Sequence, residues 1–241
     1  MEYNKNEKDG SYVGSNAVAE TGAFAVLMRN VYTWMTCGLL MTALTALIVG
    51  RNENWLYALA TGGMFWGLLI GELVLVMVLS ARIHKMAFST AGLMFAAYAI
   101  LNGVTLSFIM AIYTAESIAQ AFFVTAGTCG AMSLVGYFIK KDLSDVGRVL
   151  TMALLGLIIA TVVNIFWQNG LMASVLNYAG VIIFVGLTAY DTQKIKQMLA
   201  VAQQAGVNDD TNKLALMGSL ELYLDFINLF LYILRLFGRR K

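Results

Sequence analysis

Residues Leu214–Phe237 read LALMGSLELYLDFINLFLYILRLF, a stretch long and apolar enough to cross a bilayer, yet it carries Glu221, Asp225 and Arg235. With Asn228 and Tyr232 these residues recur at steps of four, three, four and three, so a helix gathers them into one stripe. The other faces are apolar, with Leu222, Phe226, Leu229, Phe230, Ile233 and Leu234. An ionisable group at the bilayer centre costs about 2.5–3.5 kcal/mol. Two acids on one stripe therefore have to face protein or a water-filled cavity. This helix is the working element, and it escapes lipid if other spans shield it at the centre of a bundle.

The rest of the chain supplies such spans. It is 59% hydrophobic and only 12% charged, about half the charge of an average soluble domain. Runs near the ~20 residues that cross a bilayer as a helix lie at 31–50, 56–80, 87–113, 118–139, 149–166, 171–191 and 214–237. The expected fold is an all-α integral membrane bundle of seven transmembrane helices over residues 24–238, with the last helix central. Residues 1–23 are polar and carry no cleavable leader pattern, so they read as a disordered cytoplasmic tail. The long connector is 192–213, rich in Lys, Gln, Asn and Asp. The chain has no proline, so bends have to come from Gly, Asn or Ser. A net charge of +2 with dispersed basic residues gives no nucleic-acid surface. Cys37 and Cys129 lie in apolar runs without metal-ligand spacing and read as packed free thiols.

Basic residues orient the bundle. Eleven, from Lys5 to Lys213, fall in the tail and the connectors on one side, against Arg51 alone on the other. By the positive-inside rule the N-terminus is cytoplasmic and six spans return the chain to the cytoplasm at Asp191. The seventh segment either crosses fully, placing Arg239-Arg240-Lys241 outside, or re-enters; a full crossing is favoured. Gly63, Gly67 and Gly71, Gly127 with Ala131, and Gly156 with Ala160 repeat every fourth position and predict close helix contacts.

Asp191 ends the sixth span in Leu-Thr-Ala-Tyr-Asp-Thr-Gln; taken alone it is an ordinary boundary carboxylate. Asp225 lies eleven residues into its span, about 16 Å deep. Glu221 is one turn nearer the cytoplasm on the same face. Two close carboxylates cannot both ionise cheaply, so such a pair holds a proton and titrates as a unit. Deprotonated, the same oxygens are the hard ligands calcium prefers, so Asp191 with Asp225, or with Glu221 in its place, is the candidate metal contact. Glu221 and Asn228 continue the stripe as a candidate cation path. Glu72 is mid-span on the second helix and Arg82 closes that helix, either reaching headgroups or latching an acid such as Asp191. Arg235 reads as snorkelling, His84 as surface, and Asn102, Gln120 and Asn164 as interhelical hydrogen bonds. No nucleotide-binding glycine loop, serine elbow or His/Cys cluster is present, so neither an enzyme nor a cofactor is expected.

Leu222-Tyr-Leu-Asp225-Phe-Ile-Asn-Leu-Phe230, running to Leu234-Arg-Leu-Phe-Gly238, resembles the last helix of the Bax-inhibitor (transmembrane BAX inhibitor motif) family. Tyr190-Asp191-Thr-Gln-Lys-Ile195, Lys140-Lys-Asp-Leu-Ser144, Asn164-Ile-Phe166 and Arg29-Asn-Val-Tyr-Thr33 resemble its other motifs, and the short tails resemble bacterial members. The resemblance implies a monomeric pH-sensitive calcium leak in the bacterial inner membrane, handling calcium ions and protons. The pair Asp191 and Asp225 between the sixth and seventh helices is then the proton sensor and gate. It also implies an arginine latch near the end of the second helix, but Arg82, ten residues past Glu72, sits one position early. The alternative is a regulatory protein that modulates a membrane-bound protease, which could grip the polar tail. An intramembrane aspartyl protease fits poorly, because Asp225 follows Tyr-Leu rather than Gly-x-Gly and the chain has no proline. A proton-coupled transporter lacks its inverted repeat.

Overall fold

The computed structural model describes residues 6–61 and 63–241, with side chains from residue 22 onward apart from residue 60. Its helices are α1 (Asn6–Gly50), α2 (Glu53–Ala60), α3 (Met64–Arg82), α4 (Phe88–Leu106), α5 (Phe108–Ile112), α6 (Ala115–Phe138), α7 (Ser144–Trp167), α8 (Gly170–Ala202) and α9 (Asp209–Phe237). Among the described residues seven segments are long and apolar enough to cross a membrane: Gly22–Gly50, Met64–Lys85, Phe88–Ile112, Ala115–Phe138, Ser144–Trp167, Gly170–Ala205 and Asp209–Phe237. The architecture is the expected all-α seven-span bundle. The expected disorder of residues 1–23 falls mostly on residues whose side chains lie outside the described set.

With no proline to punctuate the chain, Asn and Thr side chains start several of the helices. Asn52, Thr114, Asn169 and Asn208 accept backbone N–H groups at the starts of α2, α6, α8 and α9. The Thr211 hydroxyl reciprocates by accepting the Asn208 N–H, which closes a capping box. The run 56–80 is not one helix. It breaks after Ala60 and restarts at Met64 through Gly63, whose φ of +73° suits only a residue without a side chain.

The sixth span does not stop at Asp191. α8 runs on to Ala202 because Thr192, Ile195 and Leu199 keep one buried face in register. Ile195 and Leu199 pack with Leu27, Val31, Ala215 and Leu222, so the expected connector 192–213 shrinks to a turn around Gly206 (φ +72°).

The glycine ladder is a second correction. A Cβ at Gly63, Gly67, Gly71, Gly127 or Gly156 would meet nothing within 4 Å, so none of these glycines marks a close helix contact. Close approaches occur at other glycines. A Cβ at Gly136 would strike the Ala189 carbonyl, one at Gly103 would stand 2.6 Å from the Thr42 carbonyl, and one at Gly180 would meet the Tyr232 ring at 2.6 Å. Spacing alone does not say which face of a helix meets a neighbour.

α9 is the centre of the molecule. In its apolar window 67% of residues are buried, against 6% to 33% in the other six spans. It packs on α1, α4, α6 and α8. Tyr223 is fully buried between Phe95 and Tyr98, and its hydroxyl is 2.7 Å from the Thr42 hydroxyl of α1. One end of α9 lies beside the α3–α4 connector, where Lys213 Nζ donates to the Met86 carbonyl at 3.3 Å. At the other end Thr114 N–H donates to the Arg239 carbonyl and Lys241 N–H to the Ile112 carbonyl, at 3.1 and 2.9 Å. Met86 and Ile112 bracket the third span, so α9 runs the same length of the bundle as that span. Cys37 and Cys129 are free, Cys129 buried and Cys37 partly so.

Candidate functional site

α8 and α9 meet closely because small residues oppose large ones along their seam. Gly180 receives the Tyr232 ring, Gly218 lies against Ile195, and Phe184 stacks on Tyr232 with ring centroids 5.8 Å apart. Midway along this seam Asp191 of α8 and Asp225 of α9 line the same cavity. Asp225 is 4% exposed, and its Oδ2 has no hydrogen-bond partner among the described residues. A buried acceptor without a donor is costly. The group facing it is another acid.

Glu221 stands one turn closer to the start of α9, and Lys194 one turn past Asp191 on α8. Lys194 Nζ donates to Glu221 Oε1 at 2.7 Å and also lies in the field of Asp191. From α6, Cys129 is buried, and the Thr188 hydroxyl of α8 donates to the Phe184 carbonyl at 2.8 Å. Between α7, α8 and α9 a cavity of about 450 Å³ is lined by Asp191, Lys194, Glu221, Asp225, Asn228 and Tyr232. Asn228 Nδ2 donates to the Leu224 carbonyl at 2.8 Å. The polar stripe at 221, 225, 228 and 232 thus faces one cavity. Arg235, beyond it, is exposed with its guanidinium 5.5 Å over the Tyr232 ring.

The second-span latch is not formed. Arg82 is exposed and makes no ion pair among the described residues. α3 packs mainly on α4, away from the α8–α9 seam. Glu72 is buried and accepts a hydrogen bond from the Thr105 hydroxyl instead. The cation at the acids is Lys194, for which the sequence suggested no site role. Its position three residues after Asp191, hence on the same helical face, was the available signal. Asn164 is also reassigned: its Oδ1 accepts from Asn169 N–H and caps a local turn rather than bridging helices. Asn102 Oδ1 is buried without a partner. His84 is exposed, as expected.

Among the described residues no group of three or more His, Cys, Asp or Glu side chains forms a metal-holding cage. Calcium retained as a structural ion takes six to eight oxygen ligands. Asp191 and Asp225 by themselves supply four carboxylate oxygens to the cavity wall.

The sequence model of the family described as "Inhibitor of apoptosis-promoting Bax1" matches residues 25–241. The chain belongs to the Bax inhibitor family. This family assignment agrees with the motif resemblance over 24–238. The chain is similar to the inner membrane protein YbhL of Escherichia coli K12, 48% identical over 217 residues that cover 89% of this chain and 92% of the relative. A protein of Borreliella burgdorferi is 40% identical over 218 residues, covering 89% and 92%. One of Deinococcus radiodurans is 38% identical over 213 residues, covering 88% and 90%. The match reaches all seven apolar segments, so this Bax inhibitor family member is an integral membrane protein.

Proposed function

We propose that this Bax inhibitor family protein is a pH-sensitive cation leak of the bacterial inner membrane, with calcium as its cargo and Asp191 and Asp225 as proton sensor and gate. The observation that carries the reading is the acid pair itself: a buried Asp225 oxygen without a donor, set against a second carboxyl, at the wall of a polar cavity in the central helix. A proton shared by the two carboxyls satisfies both. Its loss leaves two like charges in a low-dielectric site, and the helices carrying them have to part or admit a cation. Glu221 and Asn228 extend the oxygen-bearing wall along the same face and serve as the cation path. The Lys194–Glu221 pair at the cavity rim neutralises the third acid, so the response rests on the aspartates. Nothing in this scheme requires a covalent step, and the protein acts as a channel rather than an enzyme. An inner-membrane location agrees with the name of the Escherichia coli relative, and the cytoplasmic N-terminus follows from the basic connectors.

Calcium flux into liposomes holding the purified protein tests the proposal. Asp225→Asn keeps the shape of the side chain and removes its charge. Flux should change strongly and lose its dependence on pH between about 6 and 8. A well-folded variant with wild-type flux and wild-type pH response would remove Asp225 from the gate.

A further inference from the structure

α1 and α6 both pack on α9, but neither is a principal neighbour of the other. The gap between them is a lateral cleft floored by Phe226 of α9. Two cavities form it, of about 350 Å³ toward α5 and about 780 Å³ toward the Arg29 end of α1. They share Leu39, Ala43, Phe122 and Phe226 as walls, and so adjoin. Aliphatic and aromatic side chains make most of the wall. The Thr42 hydroxyl in it is already bonded to the Ala99 carbonyl and the Tyr223 hydroxyl, so it makes no polar demand. Rim residues Leu40, Leu134 and Phe138 are exposed on the bilayer side. The interior suits hydrocarbon.

The mouth has different chemistry. Arg29 lines the larger cavity, is exposed, and makes no ion pair with any described residue. Tyr32 and Tyr137 line the same cavity, and Lys196 Nζ sits 4.7 Å over the Tyr137 ring. Arg29 and two phenol rings line one end of an apolar cleft, and Lys196, whose Nζ also donates to the Tyr137 carbonyl at 2.7 Å, stands over the Tyr137 ring; this pattern matches a phosphate head at a membrane interface. From Arg29 to Leu39 α1 rises about 15 Å, half of a hydrocarbon core of about 30 Å. The larger cavity therefore spans one leaflet, with its cations at the headgroup level.

We propose that the cleft between α1 and α6 is a binding site for an anionic phospholipid, with one acyl chain lying on Phe226 and the phosphate on Arg29. The site is distinct from the carboxylate cavity, which lies between α7, α8 and α9. Its occupant touches the residue next to Asp225 from another face of α9, and it also touches Cys129 and Ser133 of α6.

Native mass spectrometry of the purified full chain, titrated with phosphatidylglycerol or phosphatidylcholine, reads occupancy directly. Wild type should retain phosphatidylglycerol about tenfold better. Arg29→Gln keeps the tail contacts and should lose that preference. A Cβ at Gly130 meets nothing within 4 Å, so Gly130→Leu can extend into the cleft without a backbone clash. It should lose both lipids while keeping the wild-type melting temperature; Ala43→Phe fills the cleft from the facing wall as a second such variant. Equal retention of the two lipids by wild type, or wild-type retention by both filled variants, would overturn the proposal. So would efficient cross-linking of copies through cysteines placed at Leu40 and Leu134, which would make the cleft a subunit interface.

Discussion

Asp191, Glu221 and Asp225 share one nearby cation, and Lys194 commits itself to Glu221 at 2.7 Å. The two aspartates are left facing each other. At about 4 Å and an effective dielectric near 20, two like charges repel by about 4 kcal/mol, enough to favour a proton or cation between them. If they act as one unit, Asp191→Asn should flatten the flux-versus-pH curve as much as Asp225→Asn does, and the double variant should be no worse than either single one. Additive effects would mean two independent sites. A control lies outside the membrane, in the α6–α7 connector. There the Ser144 hydroxyl and then its N–H donate to Asp142 and hold that carboxyl below its usual range. A depressed carboxyl contributes its stability above its unfolded pKa and loses it only as pH falls through the lower folded value. Asp142 is therefore ionised throughout the range from about pH 6 to 8. Asp142→Asn should leave the midpoint of the flux curve in place, and a moved midpoint would shift the sensor to this connector.

At the scale of elements, the seam between α6 and α8 depends on Gly136 having no side chain. The atom a Cβ would meet there is the backbone carbonyl of Ala189, which cannot step aside without moving α8. Gly136→Ala should destabilise by about 1–3 kcal/mol, as overpacking does. Gly71→Ala meets open space and gains helix propensity, worth up to about 1 kcal/mol. Thermal melts in one detergent should therefore move in opposite directions, and two losses of similar size would mean that the Gly71 face is packed after all. Gly71 was the residue that spacing alone singled out. Its repeat is visible in the sequence, while the partner it lacks is not. Asp191 and Asp225 were both legible as acids in apolar spans. Their meeting was inferred from motif resemblance, and it depends on Gly180 and Gly218 letting α8 and α9 approach.

For the whole molecule, the decisive feature is a last helix enclosed by its neighbours and clamped at both ends. Lys213 holds one end beside Met86, and the antiparallel pairing of Tyr113 with Arg240 holds the other. These anchors place the three terminal basic residues on the side opposite the basic connectors. A reporter fused after Lys241 should accordingly signal the external side, and one fused before Met1 the cytoplasmic side. Signals from the same side would return α9 to a re-entrant path. Orientation rules act on charges near early spans during insertion; a shielded late helix is held by packing.

Composition and the period of apolar runs were enough to set seven spans and the polar stripe of the last helix, while the family was read from the resemblance of particular motifs. These properties are local, since about 20 apolar residues must cross and an acid in one of them must avoid lipid. The extension of α8 past Asp191, the break at Gly63, the idle glycine ladder and the exchange of Arg82 for Lys194 at the acids were settled by tertiary structure. Each depends on which residue of a distant helix stands opposite: Leu27 and Val31 against Ile195 and Leu199, and Glu221 against Lys194. Helical periodicity states which side chains share a face. Only packing decides what that face meets, because close contact in a bundle is a property of two surfaces.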